Sequence, residues 1–269
     1  MKRIERTGTI IKILSENPSK LFSLSHFTEM FGAAKSTISE DIAICKRIIE
    51  ATGDGEILTV AGAAGGVKYV PKVSKPIIKS FQAALSDKLN EPNRVLTGGF
   101  LYTSDIMFNP SIAKQAGRIF ATRFMDLNAD YVVTIETKGI ALAEMTAEAL
   151  NLSLVVMRRE GKISEGSTLS INYISGSSDK IQKMSVSKKS LLPGTKAIII
   201  DDFMRGGGSA SGMVEMLSEL EVETVGIGVL IATREPEQKR VNNYFPILYL
   251  DNEAGSQSGI TISPNPMIP

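Results

Sequence analysis

The chain has 269 residues, 30 Lys and Arg against 29 Asp and Glu, and 43% hydrophobic side chains. That length accommodates two domains with substantial cores, and the near balance of charge argues for no polyanionic partner by bulk charge alone. The single cysteine, Cys45, excludes an internal disulfide, no apolar run approaches the roughly 20 residues of a membrane span, and the charged start is unlike a secretory signal, so the expectation is a soluble, cytoplasmic protein without membrane contact.

The first seventy-two residues read as three helices and a hairpin. Ile4, Ile10, Ile11 and Leu14 recur at helical spacing, and Asn17-Pro18 closes that helix. A second helix starts near Ser23 with Leu24, Phe27 and Phe31 apolar, and Gly32 supplies a turn. A third, over 34–50, puts Ile38, Ile42, Cys45 and Ile49 on one face and crowds Lys35, Ser36, Thr37 and Ser39 at its first turn. Two helices joined by a tight turn, with short polar side chains opening the second, suit a helix-turn-helix that approaches base edges closely. The strand-like runs Ile57-Leu58-Thr59-Val60 and Val67-Lys68-Tyr69-Val70 flank a glycine-rich turn and make a wing. Residues 1–72 hold ten basic side chains against eight acidic ones, a net +2, but Lys2, Arg3 and Arg6 cluster at one end, Lys35 opens the third helix and Lys68 lies on the wing. The pattern resembles a winged helix-turn-helix DNA-binding domain; a small helical oligomerisation module is the alternative. His26 reads as structural or surface, and Cys45 as a buried helix residue without a second Cys to help hold metal.

Pro71-Lys72-Val73-Ser74-Lys75-Pro76 breaks both patterns and marks the boundary of a second domain, 73–269. Helices are expected over 77–89 and 111–124, with a short apolar run at 96–102 between them. The strand 130–135 runs into the loop Glu136-Thr137-Lys138-Gly139, then a helix over 140–150 and a strand over 152–157 followed by Arg158-Arg159. A hairpin pairs 167–174 with 180–186. Arg158, Arg159 and Lys162 either assist a bound anion or form a charged hairpin base, and Tyr173 is a packing residue.

The most informative stretch follows. Lys196-Ala197-Ile198-Ile199-Ile200 is a strand that Asp201 and Asp202 end; Phe203-Met204-Arg205-Gly206-Gly207-Gly208-Ser209 is a glycine-rich loop; Met213, Met216, Leu217 and Leu220 recur at helical spacing. Ligands of a parallel sheet settle beyond the carboxyl ends of its strands, and glycine-rich turns before helices turn amides toward phosphate. Two carboxylates ahead of such a loop would repel phosphate, whereas the neighbouring hydroxyls of a ribose suit them. The rival motifs fail on the letters. Gly208 is followed by Ser209, not by the Lys of a Walker loop, and Ser211 stands where a dinucleotide fingerprint or a nucleophile elbow needs Gly. Beyond it, 224–231 reads as a buried strand, 234–240 as a charged helix, 247–250 as a last strand and the residues after Asn252 as a loosely ordered tail.

Strand, paired acids and small-residue loop together resemble the signature of the type I phosphoribosyltransferase fold, an α/β fold with a mainly parallel sheet. The resemblance implies that Asp201 and Asp202 hold the ribose hydroxyls of 5-phosphoribosyl-1-diphosphate (PRPP), that Met204, Arg205, Gly206, Gly207, Gly208 and Ser209 hold its 5′-phosphate, and that Thr137, Lys138 and Gly139 hold its pyrophosphate, with Mg²⁺ accompanying it. Enzymes of that fold commonly carry Thr-Thr-Gly where this chain has Arg205-Gly206-Gly207. With the winged head, the stretches Ala33-Ala34-Lys35-Ser36-Thr37-Ile38-Ser39-Glu40-Asp41, Gly62-Ala63-Ala64-Gly65-Gly66-Val67-Lys68-Tyr69 and Ile200-Asp201-Asp202-Phe203-Met204 resemble the PurR-type purine operon regulators of Gram-positive bacteria. That family implies a homodimer that senses PRPP without turnover and binds double-stranded operator DNA through Lys2, Arg3, Arg6, Lys35, Ser36, Thr37, Ser39 and Lys68, with RNA polymerase a further partner if it activates. A working purine phosphoribosyltransferase with an accessory DNA-binding domain is the alternative.

Overall fold

In the computed structural model the described residues are all but 54, 63, 97–99, 161–165, 175–180, 253–258 and 269. The N-terminal head contains α1 (Arg3–Glu16), α2 (Leu24–Phe31), α3 (Lys35–Thr52), β1 (Glu56–Val60) and β2 (Gly66–Val70), the last two antiparallel. Ile10, Leu14, Phe27, Ile38, Ile42, Cys45 and Ile49 close its core against Ile57, Val67 and Tyr69 of the wing. Ser23 caps α2 by accepting the amide of His26, and Gly32, at φ 58°, ends it in the left-handed conformation that the tight turn requires. Phe22 and Val67 exchange amide hydrogen bonds of 2.9 and 2.8 Å, so the chain entering α2 pairs with the wing. A side chain at Gly66 would run into the carbonyl of Phe22, which is why a glycine opens β2.

The body follows with α4 (Lys75–Leu89), β3 (Val95–Leu96), β4 (Phe100–Leu101), α5 (Ser104–Met107), α6 (Pro110–Phe124), β5 (Tyr131–Ile135), α7 (Gly139–Leu150) and β6 (Ser153–Met157). Then come β7 (Thr168–Ile174), β8 (Ile181–Ser187), β9 (Lys196–Met204), α8 (Gly208–Glu219), β10 (Glu223–Thr233), β11 (Tyr244–Asn252) and β12 (Ile260–Pro264). Six strands form one sheet in the order β12-β11-β10-β9-β5-β6, parallel except for β12. The inner strands are continuously apolar because both faces are covered. Ile198 and Ile200 of β9 pack with α4, α6 and α7, while Ala197 and Ile199 pack with α8 and the β7–β8 hairpin. Tyr173 is buried in that second layer, and Gly212 of α8 lies so close to Tyr173 and Met184 that a Cβ there would meet both within 2.9 Å.

Four sequence expectations need correction. β9 does not end at Asp201 but runs on through Met204, because β10 pairs with it as far as Ala232 opposite Met204. Lys75 and Pro76 do not break the chain; Pro76 sits in the first turn of α4, where a missing amide hydrogen costs nothing. Residues 234–240 form no helix. Of the expected tail, 253–258 and 269 lie outside the described residues, and Ile260–Pro264 is ordered as β12: Asn90 exchanges hydrogen bonds with the backbone of Ile262 (2.9 and 2.8 Å), and buried Asn265 donates to the carbonyl of Pro246 (2.7 Å). Lys162, Lys180 and the glycine pair 98–99 lie outside the described residues.

Candidate functional site

The sheet order creates the site. From β5 the chain moves outward to β6, then returns to β9 on the other side of β5 and continues outward to β10 and β11. This reversal between β5 and β9 is a topological switch point, and crevices for ligands open there beyond the strand ends. The pairing of β5 with β9 stops at Val133 and Ile199, so the strands separate above that level. The two predicted ligand segments, 137–139 after β5 and 204–209 from the end of β9 into α8, flank the gap.

Asp201 and Asp202 alternate across β9 and meet different surroundings. Asp201 is buried beneath the first residue of α7: a Cβ on Gly139 would lie 2.9 Å from Asp201 Oδ1 and 2.7 Å from Thr134 Oγ1. Glycine is therefore required at that helix start. Asp202 instead lines a cleft of about 780 Å³ with Lys138, Arg159, Arg205, Thr103, Thr233 and Glu235 on its polar side, and Phe100, Leu101, Phe203, Leu250 and Ile260 on its apolar side. That size falls within the usual range for small-molecule sites.

The charges are coupled. Burial pushes the Asp201 carboxyl well above the ordinary carboxylate range and the neighbouring charge of Asp202 adds to it, while the Asp202 amide donates to Asp201 Oδ1 at 2.9 Å. Burial also raises Asp202, opposed by its hydrogen bond with Asp201 and by the charge of Lys138. Lys138 is steadied by Thr103, whose hydroxyl accepts from Nζ at 3.4 Å. Glu136 ties the same turn to β6: its carboxylate accepts the Arg159 amide (2.8 Å) and lies 3.6 Å from Arg158 Nη1. This half of the predicted cation group thus holds the loop, and Arg159 faces the cleft.

The glycine turn is shorter than the sequence suggested. Met204 ends the strand as a buried residue, Gly207 adopts φ 77°, and Gly208 and Ser209 already belong to the first turn of α8. Arg205 is the exposed side chain of the turn. An anion placed there would meet the amides of a helix start.

A family model described as "Bacterial purine repressor, N-terminal" matches residues 2–71, and one described as "Phosphoribosyl transferase domain" matches residues 103–259. The purine biosynthesis transcriptional repressor PurR of Bacillus subtilis is 41% identical over 263 residues, covering 97% of this chain and 92% of that protein. The chain belongs to the PurR family. A second member, the purine biosynthesis transcriptional activator PurR of Lactococcus lactis subsp. lactis, is 36% identical over 251 residues, covering 93% of each chain. The fold of the body is that of adenine phosphoribosyltransferase from Saccharomyces cerevisiae, with a TM-score of 0.55 at 22% identity over 62% of this chain and 98% of that one.

In this PurR-family chain the head residues are placed unequally. Lys35, Ser36 and Ser39 are exposed at the start of α3, Thr37 and Lys68 are half-buried, and Lys2 is exposed at the cap of α1. Ser39 donates to the Lys35 carbonyl at 3.0 Å. Arg3 and Arg6 have carboxylate partners on α3: Arg3 Nη2 lies 2.6 Å from Glu40 Oε2, and Arg6 Nε lies 2.6 Å from Asp41 Oδ2, with Asp41 fully buried. These two arginines fix α1 against α3. Sequence reasoning missed Thr103, Thr233 and the apolar wall. Thr233 had a signal, since it ends a parallel strand, whereas Thr103 and Phe100 reach the cleft only through the tertiary fold.

Proposed function

We propose that this chain is a DNA-binding transcription regulator of purine genes whose body senses PRPP without turning it over. The single observation that carries the reading is that Asp202, Lys138 and Arg205, from the paired-acid strand and the two loops beside it, line one cleft at the switch point of a chain related to purine-gene regulators along nearly its whole length. Asp202 receives a ribose hydroxyl, with Asp201 behind it; the turn 137–139 takes the pyrophosphate and 205–209 the 5′-phosphate. Among the described residues no group of three or more His, Cys, Asp or Glu could hold a metal ion. A Mg²⁺ ion, which keeps several waters and binds through one or two carboxylates plus substrate phosphates, would therefore arrive on the diphosphate, with Asp202 the carboxylate this chain adds.

The head docks on operator DNA with the start of α3, where Lys35 meets phosphate and Ser36, Thr37 and Ser39 approach base edges. A homodimer engages two half-sites spaced by the helical repeat of roughly 10 base pairs or its multiples. Calorimetric titration with PRPP and Mg²⁺ tests the site. Wild type should bind, and Asp201→Asn with Asp202→Asn should not; equal heats in both would remove the assignment. A gel shift on a purine-gene promoter, run with and without PRPP, tests the regulation. Formation of a nucleotide from PRPP and adenine, guanine, hypoxanthine or xanthine would favour the enzyme instead.

A further inference from the structure

The glycine turn offers amides to a phosphate but only one charged side chain, Arg205, which is exposed. A phosphate monoester carries nearly two negative charges at neutral pH, so one solvated cation leaves it poorly neutralised. A second cation stands beside the turn on a segment the motif does not include. Residues 234–240 fold back from the end of β10, and the Arg240 amide donates to the Gly206 carbonyl at 3.0 Å. This brings Lys239 so near that its Cβ would lie 3.6 Å from a Cβ on Gly207. The Lys239 ammonium donates to Thr233 Oγ1 at 3.1 Å, and the same hydroxyl reaches the Arg205 carbonyl at 3.3 Å and lines the cleft.

On the reading that the cleft holds PRPP, we propose that Lys239 is a second cation for the 5′-phosphate, acting with Arg205 from either side of the glycine turn. Among the described residues neither side chain has a carboxylate within ion-pair distance; Glu235 acts on Lys239 as a nearby charge. Burial disfavours the charged form of Lys239, Glu235 opposes it and the charge of Arg205 adds a smaller push in the same direction as burial, so an arriving dianion compensates a partly desolvated ammonium. Charge-assisted hydrogen bonds to phosphate are about twice as strong as neutral ones. Thr233 holds the ammonium at the rim of the cleft, where it needs little movement to reach a ligand.

The test titrates the full chain and its Lys239→Met and Lys239→Arg variants with PRPP and Mg²⁺, with ribose 5-phosphate, and with inorganic pyrophosphate. Lys239→Met should weaken ribose 5-phosphate and PRPP about ten-fold, leave pyrophosphate within about two-fold, and be largely rescued in Lys239→Arg. Lys79→Met, on the exposed side of α4, should change none of the three. Undiminished ribose 5-phosphate binding in Lys239→Met overturns the inference, and so does an equal loss for pyrophosphate, which would mark a diffuse charge effect. A wild-type chain that binds ribose 5-phosphate but not PRPP removes the parent reading and leaves Lys239 supported by its own variants; one that binds neither removes both.

Discussion

At the scale of single residues, the buried acid pair sets a conflict between stability and ligand capture. The folded chain holds the Asp201 proton to higher pH than the unfolded chain, whose carboxyl titrates near the ordinary value of 3.8. Between those two values the native state binds more protons than the unfolded state, so stability falls as pH rises through that window and levels off above the raised pKa. Asp201→Asn removes this titration. In thermal melts without ligand the variant should be a few degrees more stable than wild type at neutral pH, with the gap closing as pH falls below about 4; parallel curves would show that Asp201 is ionised at no cost. Gly139 is the complementary case. Thr134 and Asp201 occupy the space a Cβ would need, and Asp201 Cα lies only 3.3 Å away, so relaxation would have to move β9. Gly139→Ala should cost about 1–3 kcal/mol in denaturant unfolding and weaken PRPP together with it. Cys45 needs no reactivity of its own: burial, with Asp41 nearby, pushes its thiol up to about 11.

At the scale of elements, α1 and α3 are held by a buried ion pair rather than by packing alone. Arg6 approaches fully buried Asp41 at 2.6 Å, and Arg3 reaches the same carboxylate at 3.3 Å from a half-exposed position. Arg6→Ala should therefore destabilise the chain by about 3 kcal/mol, because it strands a buried charge, whereas Arg3→Ala should cost under about 1 kcal/mol. Equal small losses in urea unfolding, with a large loss of DNA binding from Arg6→Ala, would return Arg6 to the DNA surface. The long periodic elements were legible in the sequence: α1 to α3, the wing, β5, β6 and β10 each follow from their own spacing. The misreadings arose where a partner decides. Asp201 and Asp202 look like strand breakers until β10 pairs alongside them, and β12 is polar enough to pass for a tail until Asn90 and buried Asn265 satisfy its surroundings. The two ligand loops were readable as motifs, but only the resemblance to the phosphoribosyltransferase fold implied that they meet on one ligand. Their meeting depends on the order of strands in the sheet, which no local pattern encodes.

At the scale of the whole molecule, the candidate site and the head are joined through α7 and α6. The N-terminal residue of α7, Gly139, abuts Asp201, and near its other end the Ala149 carbonyl accepts the Ser19 hydroxyl of the head at 2.8 Å. A helix of 12 residues spans about 18 Å, so one rigid element runs from cleft to head. Beside it, Arg118 of α6 donates to the Tyr69 hydroxyl of the wing at 2.7 Å, and Thr122 accepts the amide of Val73 at 2.9 Å. A ligand shifts the head only if it binds two arrangements of this joint with different affinity. Ser19→Ala with Tyr69→Phe removes two hydrogen bonds that the joint makes and touches neither the cleft nor the start of α3. Each such bond contributes about 1 kcal/mol, comparable to a typical coupling of 1–3 kcal/mol between two sites. In fluorescence-anisotropy titrations the double variant should keep its PRPP affinity and its DNA affinity without PRPP, each within about three-fold. The ratio of DNA affinities with and without PRPP should fall toward one. A ratio equal to that of wild type would mean that the signal travels by a route other than α7.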